Sequence, residues 1–374
     1  MLAHSFEEVV RHIRRGADTR SKLLEELEWS RTTLTSRLDE LTGAGIIRPG
    51  QSAPSTGGRP ATKLELNPDR GLILALDIGG SHSRLAVCSA DASVVRITDL
   101  EAGRTAGHDL VADWIRSSVS DAEAERILAV GAGIPIPPPQ FGQDETPPAA
   151  LEWEGFSPAR VLGLDVPEVS TRDVAVVARG EAQHPDVASE ALVVKIGLGL
   201  SVATLSEHRV LEGANGAAGA FLLPHGEEFV AAETLFSGYT VRNALVRHGL
   251  PHDAPSSDLV RLAAEESALG RAAHEALHDM ARRLGAALTA LVAFVDPREV
   301  LIGGNLAESD IVVGGIRAAL MKRMRSPQRE SVSVRRCRRG REAGVIGAAN
   351  LALDALTTQE ALAARIYNDR RETA

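Results

Sequence analysis

The sequence predicts an α/β protein: a winged helix-turn-helix over residues 1–70, followed by a larger two-lobed body. Three observations predict it. Three short helical periodicities open the chain and give way to two strand-like runs. Two glycine-punctuated strand pairs then recur, starting at Leu72 and at Leu192. The charge is also divided: residues 1–70 carry 11 Lys/Arg and 10 Asp/Glu, and the remainder carries 30 and 40. At 374 residues the chain exceeds one comfortable core,. The expected divisions are 1–70 for the winged module, 71–188 and 189–355 for the lobes, and 356–374 for a C-terminal helix or tail.

In the module, Ser5-Phe6-Glu7-Glu8 reads as a capping box opening a helix to about Arg15, which Gly16 stops,. A second helix runs from about Thr19 to Glu28, with Leu23, Leu24 and Leu27 inward. Ser30 caps a third, whose Leu34, Leu38 and Leu41 form a core stripe ended by Gly43-Ala44-Gly45,. Its other face shows Arg31, Thr32, Thr33, Thr35, Ser36 and Arg37, side chains suited to phosphate oxygens and base edges in a major groove,. Ile46-Ile47-Arg48 and Lys63–Leu66 read as strands flanking a loop that holds Gly57-Gly58-Arg59-Pro60. An Arg on such a loop suits a narrow minor groove. Residues 30–63 hold five Lys/Arg against two Asp/Glu, which favours a nucleic-acid reader over a plain packing module,.

In the body, Leu72–Leu76 is a buried strand ending in Asp77, Gly79-Gly80-Ser81 a turn, and Ser83–Cys88 the return,. Such a hairpin with free backbone N–H groups is a phosphate cradle, or an ordinary glycine hairpin. Leu192–Ile196, Gly197-Leu198-Gly199 and Leu200–Leu205 repeat the unit, and Gly303-Gly304 follows the strand Glu299–Ile302 before a helix. The repetition predicts an actin/hexokinase-like (ribonuclease-H-like) body with a ligand cleft between its lobes.

Other classes are excluded. No apolar run reaches membrane-spanning length, and no secretory signal is visible,. Cys88 and Cys337 stand far apart, which excludes a disulfide framework or a cysteine zinc site and makes a cytoplasmic location the expectation,. The net charge of −9 argues against generic nucleic-acid binding by the whole chain,.

Along nearly its whole length the chain resembles the ROK family of bacterial sugar kinases and sugar-responsive repressors. The winged module with "GGRPATKLELNP" is similar to the repressor branch. "LDIGGSHSRLAV" resembles the family's first phosphate motif, "GAGIPIPPP" (131–139) its Gly-x-Gly-x-Pro-Gly-Pro loop, and "VSTRDVAVVARGEA" (169–182) the turn bearing the catalytic base. "LEWEGF" (151–156) precedes that turn. "DPREVLIGGNLA" and "EAGVIGAANLA" resemble the nucleotide-proximal motif and the closing helix.

The resemblance places Asp173 at the base position, where it would take a proton from the attacking sugar hydroxyl. Arg172 stands where the family has a sugar-gripping Asn; it is longer, charged and donor-only,. In the family's Ala-Gly-Glu-Ile-Gly-His motif, Ala218 and Gly219 match, but Ala220 replaces the sugar-binding Glu and Leu223 the sugar- and zinc-binding His. The Cys ligands that follow are missing, so no metal is expected. Glu233 matches the last sugar-binding Glu; His225 reads as an exposed loop residue rather than a displaced ligand,. Asp77, Gly79, Gly80, Ser81, Gly197, Gly199, Gly303 and Gly304 are the positions that a nucleotide would meet, or are kept for the fold alone. Ile196 lacks the hydroxyl that the second phosphate motif supplies; Lys195 either compensates or snorkels at the strand end,.

The expectation is a DNA-binding transcriptional regulator, a repressor, without sugar kinase activity and without cofactor. Its effector site would comprise Arg172, Asp173 and Glu233, its effector would be a sugar, a sugar phosphate or another small molecule, and a homodimer or homotetramer would bind a palindromic double-stranded operator. The alternatives are an active ATP-dependent sugar kinase carrying a DNA-binding domain, and a repressor answering to a protein partner.

Overall fold

A computed structural model describes residues 5–52, 62–135, 153 and 155–372. Arg59 and most of the Pro-rich segment after Ile134 lie outside the described residues. In the module, α1 (Phe6–Arg14), α2 (Arg20–Leu27) and α3 (Arg31–Gly43) each begin where a hydroxyl satisfies an orphan amide,. Ser5 accepts from the Glu8 N–H, Thr19 from Lys22 and Ser30 from Thr33. Glu28 adopts a left-handed conformation with φ 54° and ends α2. The apolar stripes of the three helices meet in one core with Ile46 and Ile47. Strand β1 (Ile47–Ser52) then pairs antiparallel with β2 (Thr62–Leu66), Ile47 opposite Leu66.

Asp18, just before α2, ties the helices to this wing. Its carboxylate lies 2.9 Å from Lys22 Nζ and 2.6 Å from Lys63 Nζ. Hydrogen bonds from Lys63 and then Lys22 hold its pKa down at about 2. A carboxylate whose pKa is lower folded than unfolded stabilises above its unfolded value and loses that contribution as pH falls through the folded one. Part of the module's stability is therefore expected to disappear between about pH 4 and pH 2. Asp18→Asn should flatten the melting temperature against pH in that window; an unchanged slope would show that the tie carries no stability.

The body is built on two five-stranded sheets. The first comprises β3 (Leu72–Ile78), β4 (Ser83–Ser89), β5 (Val94–Leu100), β6 (Ile127–Ile134) and β7 (Glu168–Arg172), in the order β5-β4-β3-β6-β7. In the second sheet, β8 (Ala191–Ile196), β9 (Leu200–Ser206) and β10 (Arg209–Val210) precede a small separate hairpin, β11 (Leu222–His225) with β12 (Glu228–Ala231). The second sheet is completed by β13 (Glu299–Gly303) and β14 (Ser333–Arg336), in the order β10-β9-β8-β13-β14. Each sheet is an antiparallel meander of three strands extended by two parallel ones, so the repetition read from the glycines is a duplication of topology.

Helix α4 (His108–Ser118) covers the outer face of the first sheet. After β7 comes α5 (Asp173–Ala182). In the second half, α6 (Gly238–Val246), α7 (Ser256–Leu262), α8 (Ala268–Val295) and α9 (Asp310–Arg323) build the outer layer of the second sheet. After β14 comes α10 (Ala343–Leu356). The two closing helices are exchanged between lobes. Val174, Val177 and Ala178 of α5 pack on Ala191, Val193 and Ala203 of the second sheet. Val345, Ala348 and Ala352 of α10 pack on Ile73, Ala75 and Ala129 of the first. The helices approach backbone to backbone through glycine: a Cβ on Gly347 would run into the Val176 carbonyl oxygen, and one on Gly180 into that of Ala343.

The chain ends in α11 (Gln359–Glu372), which returns to the N-terminal module. Its Leu362 and Ile366 are 1% and 2% exposed in the core of α1, α2 and α3. Gln359 Oε1 accepts from the Phe6 N–H at 2.7 Å, satisfying an amide at the start of α1,. Beside it, Asp354 of α10 accepts from Arg14 of α1 on one oxygen and from Arg179 of α5 on the other, each at 2.6 Å.

Candidate functional site

Asp77 and Lys195 occupy equivalent places in the two lobes. Each lies two residues before the glycine of its hairpin turn, Asp77 opposite Gly133 of the next strand and Lys195 opposite Gly303. They meet across the gap: Lys195 Nζ is 2.9 Å from Asp77 Oδ1 and 3.0 Å from Asp173 Oδ2. The three side chains are only 13%, 15% and 17% exposed. Burial by itself would drive the ammonium's pKa down; Asp173 and Asp77 together outweigh it, so the pKa is raised and Lys195 stays charged,. Lys195 does not snorkel to solvent: it is the counter-ion of two carboxylates and, with Asp77, lines the cleft described next.

Beside this triad lies an open-sided cleft with a volume of about 140 Å³. Asp77, Gly79, Gly80, Ser81, Gly197, Gly303 and Gly304 all line it. Gly199 does not; it turns toward Glu233, whose carboxylate oxygen would be 2.5 Å from a Cβ there. Two of the cradle amides are already spent. Gly79 N–H donates to the His82 carbonyl and Gly197 N–H to that of Gly199, both at 2.9 Å. The tight turns that bring the glycines to the cleft therefore consume N–H groups expected to be free, which corrects that detail. Ile196 is fully buried in the second lobe's core.

Asp173 of the triad also neighbours Arg172 and Glu233. Asp173 is the first residue of α5; its Oδ1 accepts from the Val174 N–H at 2.8 Å and from Ser201 Oγ at 3.4 Å. Arg172 reaches across to donate to the Ala218 carbonyl, so it fills space beside Ala218-Gly219-Ala220. Burial lowers its pKa, opposed by Asp173 and Glu212. Glu233 is 43% exposed; burial raises its pKa, and nearby Asp173 adds to that while Arg104, 3.9 Å away, works against it. His225 is exposed at the end of β11, in a hairpin rather than an irregular loop.

Sequence reasoning missed several cleft residues. Ser256, at the start of α7, lies 3.3 Å from Ser81 and accepts from Asn305 Nδ2 at 3.2 Å, linking the lobes at the cleft floor. Arg84, buried within β4, binds Asp99 through Nε at 2.6 Å and donates to the Arg341 carbonyl. A lone arginine inside an otherwise apolar strand was the available signal. Arg104 gave none, because its neighbour Glu233 is remote in sequence.

In the module, Arg31, Thr32, Thr35 and Ser36 are exposed on one face of α3. Thr33 Oγ1 instead lies 2.8 Å from Ser30 Oγ in the cap. Arg37 is also set apart: it is half-buried, 4.7 Å above the Phe6 ring and 3.3 Å from Glu40 Oε1. With about 100° per residue, position 37 flanks the Leu34–Leu38–Leu41 stripe instead of opposing it. Its guanidinium therefore belongs to the module's packing, which corrects its grouping with the exposed face.

A profile of the ROK family matches residues 73–355. The chain is 23% identical over 324 residues to the xylose repressor of Caldicellulosiruptor bescii, covering 77% of this chain and 79% of that protein. It is 30% identical over 193 residues to the bifunctional enzyme NanE/NanK of Brucella melitensis, covering 50% of this chain and 36% of that enzyme. Among solved structures, a ROK family transcriptional regulator described as a homologue of the E. coli MLC protein superposes with a TM-score of 0.70 at 19% identity, over 96% of this chain and 98% of that one.

Proposed function

The chain belongs to the ROK family, and on that premise we propose that it is a sequence-specific DNA-binding transcriptional regulator, a repressor, whose kinase-like body binds a small effector and does not phosphorylate sugars. The observation that carries this reading is the exposed face of Arg31, Thr32, Thr35 and Ser36 on the third helix of a helix-turn-helix with a paired wing. Ser36 Oγ donates to Glu40 Oε1 at 3.1 Å, while Arg31, Thr32 and Thr35 present to solvent the donors and hydroxyls that a major groove would use,. The similarity to a named repressor over most of both chains supports it. A homodimer or homotetramer would present two such faces to a palindromic operator, in the cytoplasm; among the described residues no helix is long and apolar enough to cross a membrane.

The effector, a sugar or sugar phosphate, would lie against Arg172, Asp173 and Glu233. Three donors already meet Asp173, the Lys195 ammonium at Oδ2 and the Val174 N–H and Ser201 Oγ at Oδ1, which leaves about one of its four acceptor sites for a sugar hydroxyl,. The retained glycine cleft favours the second reading, an active sugar kinase with a DNA-binding domain. ATP turnover against a sugar panel, with Asp173→Asn as control, separates the two; sugar-dependent turnover that the variant abolishes would establish the kinase.

The direct test is gel retardation with DNA from upstream of the protein's own gene. Arg31→Ala should weaken the specific complex by about 1–3 kcal/mol if the side chain reaches a base edge. Absence of any specific complex, with or without sugars, would remove the regulator reading. Glu233→Ala should abolish effector response while leaving DNA binding intact.

A further inference from the structure

We propose that Lys195 is a resident cation: its ammonium supplies, as a fixed part of the chain, the positive charge that a divalent metal would bring to Asp77 and Asp173, and no such metal binds between the lobes. The inference rests on the reading of the body as a non-kinase and deepens it. A kinase working in a cleft of this kind holds its phosphates with Mg²⁺. The carboxylates placed to hold that ion are Asp77, which lines the cleft, and Asp173, which heads α5. These residues do not fit it. Mg²⁺ needs a near-octahedral set of oxygens at about 2.0–2.1 Å. Both carboxylates instead converge on one nitrogen, at 2.9 and 3.0 Å, which are hydrogen-bond distances,.

The ammonium is not a loose side chain that an ion could push aside. Lys195 sits on the central strand β8, between β9 and β13, and its head is largely buried between both partners at the edge of the cleft. Asp77 is held from behind as well, since a Cβ on Gly344 would strike its Oδ2; the start of α10 is packed against that oxygen. A dication entering here would face a fixed positive charge in a site of low dielectric. Duplication supplies the geometry. The two lobes place their equivalent residues face to face, and an acid on one with a base on the other makes a bond between lobes where two acids would need an ion. Any ligand in the cleft is then held without metal, and a kinase's metal-dependent step is lost.

The experiment is Mn²⁺ binding to the full chain, followed by electron paramagnetic resonance. The wild type should show no Mn²⁺ site that Asp77→Asn weakens. Lys195→Met, which leaves two buried carboxylates without a cation, should gain a Mn²⁺ site at least about tenfold tighter than any in the wild type. Adding Asp173→Asn should remove it, and Lys195→Arg should behave as wild type. A wild-type Mn²⁺ site lost in Asp77→Asn would overturn the proposal, as would a folded Lys195→Met protein with no gain. If Lys195→Met does not fold, the wild type against Asp77→Asn decides alone. No arm involves DNA, so failure here leaves the regulator reading standing, and failure of DNA binding leaves this result standing.

Discussion

Leu362→Ala is expected to unfold the N-terminal module while the two-lobed body stays folded. Leu362 is remote from the module in sequence, yet with Ile366 it completes the core of Phe6, Val9, Leu34 and Leu38. Truncating a fully buried leucine costs about 2–5 kcal/mol, because the lost transfer energy is compounded by the cavity left behind. A module of this size holds only a few kcal/mol of its own. The cost is therefore comparable to the whole stability of the part, although small beside that of the body with its separate cores. Calorimetry should show a new transition at lower temperature, with specific DNA binding lost at temperatures where the body remains native. Ala364→Ser, on the exposed side of the same helix, is the control and should change neither. A single melting transition at the wild-type temperature for Leu362→Ala would mean that α11 is not part of the module's core.

Gly347→Ala should destabilise the body by about 3 kcal/mol, reversing the usual sign of the substitution. In a free helix, alanine is favoured over glycine by about 1 kcal/mol. At Gly347 the added methyl would run into the Val176 carbonyl oxygen and lie 2.7 Å from the Gly180 nitrogen, both backbone atoms of α5. Backbone cannot rotate away as a side chain can, so the two closing helices must separate, which is a severe case of overpacking. Because α5 begins at Asp173, its displacement should also disturb the bond to Lys195. Gly314→Ala provides the opposite case: that glycine is exposed in α9 with nothing near its missing Cβ, and the change should stabilise by up to about 1 kcal/mol,. Denaturant midpoints measure both. Equal effects of one sign would show that the crossing of α5 and α10 is looser than its geometry implies.

Much of the fold was legible because it is written in local chemistry. Ser5, Thr19 and Ser30 announce their helices because a hydroxyl before an apolar stripe can satisfy only nearby amides. The recurrence of glycine-punctuated strand pairs marked the duplication; at Gly79 a Cβ would lie 2.8 Å from the His82 carbonyl oxygen, which explains a glycine there. Placement within a helix was read less well. Arg37 was grouped with the exposed residues by type, although its angular position beside the leucine stripe carries it onto Phe6. The cradle residues were found, but not that Gly79 and Gly197 spend their amides on their own turns.

By itself, then, the sequence determined the elements and the repeated lobes, which depend on residue identity and on spacings within a turn or a strand. Only the tertiary structure decided that Lys195 neutralises Asp77 and Asp173 and that Asp354 joins Arg14 to Arg179. It alone showed that α11 returns to finish the first core. Apart from Asp173 and Lys195, the partners in these ion pairs stand 118, 340 and 175 residues apart in the chain. A charge carries no mark of the opposite charge it will meet, and an amphipathic helix none of the surface it will cover. Burial selects the partner once the lobes have closed, because an ammonium and two carboxylates withdrawn from water are stable only together.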